Sequence, residues 1–199
     1  MRIGILGSGL MGGKLGTIWA RAGHEVVFSY ARSEKKLQRL ARDAGGRARA
    51  GTPAEAAKDA DALLLAVHWS RFDDVLKKGG SLSGKVIVTC SLPMNDSDTG
   101  LVVAHKSSGA EKLAKKVPKA RIVSAFNTVP SEVFFAVFEN RGRGTPTEPR
   151  VLRRQRQGER RGRSTDSRRR VRPRRCRSAS HRAIHRAICA ADRTARLRG

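Results

Sequence analysis

Three glycines stand between the first apolar run of the chain and its first helical segment, in the spacing Gly7-x-Gly9-x-x-Gly12. Arg2–Leu6 reads as a buried strand, and the apolar residues behind the glycines recur at helical spacing. In that context the first glycine makes a tight turn, the second lets a pyrophosphate approach the backbone, and the third permits close helix–strand packing. The free N–H groups at the helix start then face the phosphates. The motif predicts a dinucleotide-binding Rossmann fold, against the alternative of a merely flexible turn.

Apolar runs and helical patterns alternate along residues 1–138. Further strands are predicted at 25–28, 47–50, 62–67, 85–89 and 121–124. Helices are predicted at 14–22, 33–44, 71–78, 108–117 and 131–138, with another starting at Thr52. Strands that alternate with helices in this way predict an α/β fold of the Rossmann type with a doubly wound parallel sheet.

The residues after the second predicted strand bear on the choice of cofactor. NAD enzymes usually place an acidic residue there to bind the ribose 2′-hydroxyl, but Ser29 is followed by Tyr30 and no acid stands at the strand tip. Arg32, Ser33 and the nearby Lys36 can instead meet a 2′-phosphate, which an Arg binds bidentately. This pattern favours NADP(H) as the cofactor. The alternative is the solvated, charged start of a helix.

Three loops follow the fourth, fifth and sixth predicted strands and meet at one edge of the sheet. Doubly wound sheets bind ligands at this carboxyl edge, so we expect a cleft there. The residues expected to line it are Val67, His68, Trp69, 91–95 and Asn127. His68 either contacts the cofactor or caps its strand, and Trp69 either walls the nicotinamide pocket or packs internally. No catalytic residue is assigned, because in hydride transfer the cofactor carries the reaction and the protein orients it.

The composition of the chain changes after Pro146. From Thr147 to Gly199 there is no aromatic residue and no Lys, and residues 151–199 hold 18 Arg against three acidic residues. The few aliphatic side chains there cannot offset the conformational entropy of ordering the segment. We therefore predict two parts, an NADP-binding domain at 1–146 and a disordered basic tail at 147–199. The tail supplies most of the formal net charge of +25.

The cysteines and the start of the chain bear on its location. Cys90, Cys176 and Cys189 show neither metal-ligand spacing nor a disulfide framework. Met1 leads directly into a strand, so no signal peptide is expected, and no apolar run approaches the roughly 18 residues of a membrane span. These observations predict a cytoplasmic protein that has no metal site and no membrane partner.

Five segments of the first 146 residues carry a family resemblance. They are Met1–Leu15, Gly23–Val27, Ala66–Trp69, Ser107–Glu111 and Val123–Pro130. Together they resemble the NADPH:coenzyme F420 oxidoreductase family. The resemblance implies a Rossmann domain that places the nicotinamide C4 against C5 of a deazaflavin ring, with coenzyme F420 as the hydride partner. It also implies a homodimer.

The resemblance assigns roles to residues of the loops as well. The nucleotide-binding loop of the family falls on Gly7, Ser8, Gly9, Leu10, Met11 and Gly12 of this chain. The Ser-Arg pair that the family uses for the 2′-phosphate aligns with Tyr30 and Ala31, which is a departure. Arg32, one position later, is expected to serve instead.

The family continues after the segment 144–146 into another strand and a C-terminal helical portion, whereas this chain continues into Arg. Codons compatible with 147–154, 166–183 and 184–199 permit a reading one base along that resembles the missing portion. We therefore interpret the tail as the product of a one-base frameshift near Pro146. The lost portion is expected to cover the cofactor and to build much of the dimer contact. Weak NADPH binding and low turnover are the expected consequences.

Two other functions stay open at this point. A Rossmann reductase of imines or ferric chelates would share the same first half of the chain. A nucleic-acid-binding protein would use the Arg-rich tail, but no aromatic residue interleaves with its basic side chains. Even if nucleic-acid binding is not the function of the chain, we expect the tail to stick to nucleic acid non-specifically.

Overall fold

The computed structural model describes residues 1–103 and 107–140. The predicted domain boundary at Pro146 and the predictions for the tail at 147–199 lie outside these residues. Within the described ranges, none of the helices combines the length and the apolar character that crossing a bilayer requires.

The strands of the described chain form one parallel sheet. They are β1 Arg2–Leu6, β2 Glu25–Ser29, β3 Ala48–Ala50, β4 Ala62–Leu65, β5 Val86–Thr89 and β6 Arg121–Ser124. Their order across the sheet is β3-β2-β1-β4-β5-β6. In register, Ile5 of β1 pairs with Phe28 of β2 on one side and with Leu64 of β4 on the other. The central strands are covered on both faces, so they read as continuous apolar runs.

Helices connect the strands and follow the last of them. They are α1 Leu10–Arg21, α2 Glu34–Ala44, α3 Pro53–Lys58, α4 Phe72–Gly79, α5 Gly109–Lys116 and α6 Val133–Glu139, with a 3₁₀ turn at Trp69–Arg71. Two of these helices begin with a capping box, in which Thr52 and Ser108 each exchange hydrogen bonds with a Glu three residues later.

Two apolar layers cover the two faces of the sheet. Ile5 and Phe28 face the layer built with α1, α2 and α6. Leu6 and Leu65 face the layer built with α3, α4 and α5. Successive residues of a strand point to opposite faces, so each central strand contributes to both layers. The predicted doubly wound parallel sheet is confirmed.

The chain reverses its direction of travel across the sheet between β1 and β4. From β1 it steps outward to β2 and β3, and α3 then returns it to β4 on the other side of β1. The connections that leave the carboxyl ends of β1 and β4 therefore diverge to opposite faces. Open α/β sheets bind ligands in the crevice at such a point, and the glycine loop lies there.

Some element bounds differ from the sequence prediction. Helix α1 begins at Leu10 rather than at residue 14, although it then contains Gly12 and Gly13, which are poor helix formers. Both glycines are buried, and tertiary packing overrides their propensity. Strand β4 ends at Leu65 rather than at residue 67, because its neighbours β1 and β5 end opposite it at Leu6 and Thr89.

Gly4→Ala is expected to destabilise the fold. A Cβ at Gly4 would overlap the Ala56 carbonyl oxygen and lie 2.6 Å from Leu63 Cδ2. Overpacking of this kind costs about 1–3 kcal/mol, which urea titration of the free energy of unfolding can measure. Gly79→Ala is the matched control, because its Cβ would meet only a Leu82 methyl carbon at 3.5 Å. An unfolding midpoint for Gly4→Ala equal to that of the control would contradict the packing described here.

Candidate dinucleotide-binding site

Gly7 makes the turn at the end of β1. Its φ is +112°, in the region that favours glycine, and a Cβ would overlap the Ala66 carbonyl oxygen. Its amide donates a hydrogen bond to the Ser29 carbonyl oxygen at 3.2 Å. The turn is therefore held between β2 and the segment after β4.

Gly12 and Gly9 lack side chains for different reasons. A Cβ at Gly12 would overlap the Gly7 carbonyl oxygen and lie 3.1 Å from Ile5 Cγ2, so α1 packs closely on the end of β1. A Cβ at Gly9 would meet no protein atom within 4 Å. Packing within the described protein thus explains Gly12, whereas the space beside Gly9 is open to a ligand.

The first turn of α1 is open to an anion. Gly9 is the N-cap residue, no side chain caps the helix, and no acidic residue lies in the first turn. The amides of Leu10 and Met11 have no carbonyl one turn earlier within the helix to accept from them. Leu10 is 72% exposed, and Met11 is half-buried against the apolar layer built with α1, α2 and α6. The positive end of a helix of 12 residues therefore faces the crevice.

Ser8 holds the glycine loop to β2. Its side chain is fully buried, and its hydroxyl donates to the Ser29 carbonyl oxygen at 2.8 Å. Its amide donates to the Tyr30 carbonyl oxygen at 3.2 Å. Ser29 in turn donates its hydroxyl to the Ile5 carbonyl oxygen at 2.7 Å. The Ser8 side chain is thus engaged internally, which the sequence did not indicate.

Tyr30 at the tip of β2 has an unusual backbone conformation. Its φ is +58°, a left-handed value that costs a residue with a side chain about 1–2 kcal/mol. Its hydroxyl donates to Asp74 Oδ2 at 2.6 Å, and Lys78 Nζ donates to the same oxygen at 3.0 Å. Burial, followed by the bond to Asp74, raises the pKa of Tyr30 to about 12. The bonds from Tyr30 and Lys78 lower the pKa of Asp74.

The predicted 2′-phosphate residues lie at the start of α2. Ser33 is the N-cap residue, and its hydroxyl oxygen accepts from the Lys36 amide at 3.3 Å. Arg32 and Lys36 are exposed. A surface cavity next to them is lined by Lys35, Lys36, Arg39, Leu40 and Asp43. Arg39 pairs with Asp43 at 3.5 Å, which leaves Lys35 and Lys36 as the unneutralised charges of a cavity wall that favours an anionic group.

His68 caps the 3₁₀ turn before α4. Its Nδ1 accepts from the Ser70 amide at 3.3 Å and lies 2.9 Å from the Ser70 hydroxyl. A nitrogen that accepts is unprotonated, so Nε2 carries the proton in the neutral ring and donates to Asp98 Oδ1 at 3.1 Å. His68 therefore joins the segment after β4 to the loop after β5. Contact between His68 and a cofactor stays a prediction.

Trp69 packs within the protein at the edge of the cleft. Its ring centroid lies 4.5 Å from that of Phe72, and a Cβ at Gly109 would lie 3.3 Å from Trp69 Cζ3. The Trp69 side chain is half-buried and packs at the margin of the apolar layer built with α3, α4 and α5. A role as a wall of the nicotinamide pocket stays a prediction for the exposed part of the ring.

Hydrogen bonds tie the three predicted loops together. The Ser91 hydroxyl donates to the Val67 carbonyl oxygen at 2.6 Å. Asn127 Nδ2 donates to the Ser91 carbonyl oxygen at 3.1 Å, and Asn127 Oδ1 accepts from Ser124 Oγ at 2.9 Å. The loops after β4, β5 and β6 thus meet at one edge, as the sequence predicted. The side-chain amide of Asn127 serves to join them.

Cys90 follows β5 but has no reactive thiol. It is 8% exposed, and burial raises the pKa of its thiol to about 11. The thiolate is the nucleophilic form, so the group is inert at neutral pH. Among the described residues no cluster of His, Cys, Asp or Glu could hold a metal ion.

The parallel sheet, its flanking helices and the glycine loop after β1 define a domain of the Rossmann type. Residues 2–93 match the family model described as NADP oxidoreductase, coenzyme F420-dependent. The matched stretch contains the glycine loop, the tip of β2 and the segment after β4.

Individual proteins resemble the chain more distantly. A protein from Arthrobacter sp. FB24 named as an F420-dependent NADP-reductase shares 22% identity, with a TM-score of 0.61 over 72% of this chain and 69% of that one. A Sinorhizobium meliloti protein, SMa0349, shares 23% identity, with a TM-score of 0.61 over 69% and 66%. These two likenesses show the fold.

A curated relative comes from Rattus norvegicus, the metalloreductase STEAP3. It is 28% identical over 128 residues, which make up 64% of this chain. The match spans about a quarter of the length of the rat protein, 25%.

Ser8→Ala is expected to weaken the attachment of the glycine loop to β2. The variant loses a buried hydrogen bond to the Ser29 carbonyl oxygen, and a typical bond of this kind contributes about 0.5–1.5 kcal/mol. The free energy of unfolding in urea measures the loss. The control is Ser81→Ala, an exposed site after α4. Equal stability of the two variants would show that the Ser8 bond does not hold the loop.

Proposed function

We propose that the chain binds NADP(H) at the glycine loop and transfers a hydride between the nicotinamide and a small-molecule partner. The observation that carries the proposal is the open space beside Gly9, directly before the uncapped start of α1. A pyrophosphate there would accept from the free amides of the first turn and meet the positive end of the helix. The family match of residues 2–93 supports the same assignment.

Different residues of the chain would hold different parts of the cofactor. The backbone from Gly7 to Gly12 would hold the pyrophosphate, with the Leu10 and Met11 amides as donors. Arg32, Ser33 and Lys36 would hold the 2′-phosphate, and Tyr30 would lie beside the adenosine. Val67, His68, Trp69 and Asn127 would line the nicotinamide end of the cleft. The bound nicotinamide supplies the hydride chemistry, and these residues orient it.

The charges around the tip of β2 favour NADP(H) over NAD(H). No acidic residue follows β2 directly, and Arg32, Lys35, Lys36 and Arg39 lie at or near the start of α2. The acid nearest to Tyr30, Asp74, is bound by the Tyr30 hydroxyl and by Lys78. A 2′-phosphate would therefore meet cationic groups rather than an unpaired carboxylate.

We propose a deazaflavin, coenzyme F420, as the partner in hydride transfer. The description of the matching family and the name of the Arthrobacter protein support it. A reductase of imines or ferric chelates is the alternative, and the name of the rat relative keeps the metal chelate open. A cytoplasmic location and a homodimer go with the family proposal.

We further propose that the reading frame breaks near Pro146 and that the encoded product is impaired. The change of composition after Pro146 supports it, and Val133 and Val137 of α6 are left 41% and 61% exposed. A C-terminal portion like that of the family would have these residues available to pack against. Hydride transfer requires donor and acceptor rings held in register, and such a portion would supply the second side of that alignment.

Gly9→Ala is expected to reduce NADPH affinity at least tenfold without loss of stability. The added methyl meets no protein atom within 4 Å, but it would occupy the space proposed for the pyrophosphate. Calorimetric titration of NADPH measures the affinity, and urea unfolding measures the stability. Gly79→Ala is the control for a glycine remote from the loop. NADPH binding by Gly9→Ala at the wild-type affinity would remove the proposed pyrophosphate site.

Arg32→Gln is expected to reduce NADPH affinity about tenfold and to leave NADH affinity unchanged. A hydrogen bond to a charged group contributes about 1.5–3 kcal/mol, and only NADPH has the 2′-phosphate. Arg42→Gln, near the other end of α2, is the control that removes the same charge elsewhere. An equal loss of affinity for NADPH and for NADH would show that Arg32 acts on the fold rather than on the 2′-phosphate.

Restoring the shifted frame after Pro146 is expected to raise NADPH-dependent turnover above that of the chain as encoded. The assay compares a deazaflavin, a cyclic imine and a ferric chelate as acceptors, which separates the candidate substrates. Sequencing of the locus tests the frame itself. An intact coding frame, or full turnover by the chain as encoded, would end the frameshift proposal.

A nucleic-acid role for the tail has its own test. Duplex DNA binding that weakens with salt, and that a stop codon after Pro146 abolishes, would be evidence for that role.

A further inference from the structure

The left-handed conformation of Tyr30 needs a cause within the fold. A bulky residue with φ of +58° persists only where its surroundings hold it, and such residues cluster at functional sites. Tyr30 follows β2 directly, at the edge of the proposed adenosine site. Two sets of contacts hold it, one made by its backbone and one made by its side chain.

The backbone contact leads to the glycine loop. The Tyr30 carbonyl oxygen accepts from the Ser8 amide at 3.2 Å, beside the Ser8 hydroxyl bond to Ser29. The direction of that carbonyl depends on the φ and ψ of Tyr30. A change of Tyr30 to an ordinary extended conformation would therefore turn the acceptor away from Ser8 and release one side of the loop.

The side-chain contact leads to α4, which follows β4 on the other side of β1. The Tyr30 hydroxyl donates to Asp74 Oδ2 at 2.6 Å, and Lys78 Nζ binds the same oxygen at 3.0 Å and lies 5.5 Å from the ring centroid. The ring packs at the margin of the α4 layer together with Val67. The side chain of Tyr30 thus spans from β2 to α4 across the end of β1.

We propose that Asp74 is a positioning residue for the nucleotide, which acts through Tyr30 by holding it in the conformation that presents its carbonyl oxygen to the phosphate loop. Asp74 itself lies on α4 and need not touch the cofactor. The bridge Asp74–Tyr30–Ser8 joins α4, which follows β4, to the glycine loop, which follows β1. The inference rests on the proposed function for its effect on NADPH, but the bridge has consequences for the free protein too.

The first measurement concerns the protein without nucleotide. Tyr30 is the single tyrosine of the chain, so its ultraviolet titration reports one phenol. Asp74→Ala is expected to lower the pKa of Tyr30 from about 12 toward the ordinary value, because the hydroxyl loses its acceptor. The pKa is expected to fall only part of the way, because the burial that also raises it remains. Hydrogen exchange of the Ser8 amide is expected to accelerate at least tenfold. Asp73→Ala removes an acid from the same helical turn, where it pairs with Lys116, and is the matched control.

The second measurement concerns NADPH affinity. Asp74→Ala and Tyr30→Phe are each expected to weaken NADPH binding about tenfold, and the double variant is expected to be no weaker than either, because both changes break one bridge. Asp74→Asn is expected to restore affinity, since its side-chain oxygen still accepts from the phenol. Asp73→Ala is expected to bind as the wild type does.

The third measurement uses the strain itself. Glycine adopts φ of +58° freely and a β-branched residue does not. With the phenol gone in both, Tyr30→Gly is therefore expected to protect the Ser8 amide better than Tyr30→Val. In the Tyr30→Gly background, Asp74→Ala is expected to have no further effect on that amide.

The outcomes separate this inference from the proposed function. Unchanged Ser8 exchange in Asp74→Ala, or equal exchange in Tyr30→Gly and Tyr30→Val, would overturn the bridge even if NADPH binds. Additive losses of affinity in the double variant would overturn it as well. Absence of NADPH binding to every variant and to the wild type, with the exchange results as expected, would overturn the proposed function and the role of the bridge in it, and would leave only the linkage of Asp74 to the loop.

Discussion

The close approach of α1 to the carboxyl end of β1 is the contact on which the rest of the structure depends. It is possible because Gly12 has no side chain to overlap the Gly7 carbonyl oxygen. One turn later Gly16 lies against the Phe28 ring, where a Cβ would again overlap. With the helix this close to the sheet, its first amides open directly into the crevice between β1 and β4. The same packing that stabilises the domain thereby leaves the uncapped start of α1 facing the crevice, where we propose that the pyrophosphate binds.

The cleft is assembled by polar contacts between segments that are far apart in sequence. Ser8 joins the glycine loop to β2, Tyr30 joins β2 to α4, and Ser91 joins the loops after β4 and β5. Asn127 adds the loop after β6. Each contact uses a side chain to satisfy a backbone carbonyl or a charged group, so hydrogen bonds join the loops to one another and to the sheet. A site built in this way is positioned by the strands beneath it.

The described residues include the stretch that matches the model of coenzyme F420-dependent NADP oxidoreductases. In the proposed function, the rate of hydride transfer depends on the geometry of the acceptor ring relative to the nicotinamide. The exposed valines of α6, Val133 and Val137, lie near the end of the described chain. In the proposed function, a C-terminal portion like that of the family would pack against them and help to hold the acceptor.

The sequence by itself determined the parallel doubly wound sheet, the strand–loop–helix unit that opens the chain and the meeting of three loops at one edge. Glycine spacing and hydrophobic periodicity are local properties, so they can be read along the chain. Only the tertiary structure decided that α1 starts at Leu10, that the Ser8 hydroxyl is used internally and that Tyr30 is bound to Asp74. The last two features are hydrogen bonds between residues that lie 21 and 44 positions apart in the chain. No local pattern encodes which distant partner a side chain will meet.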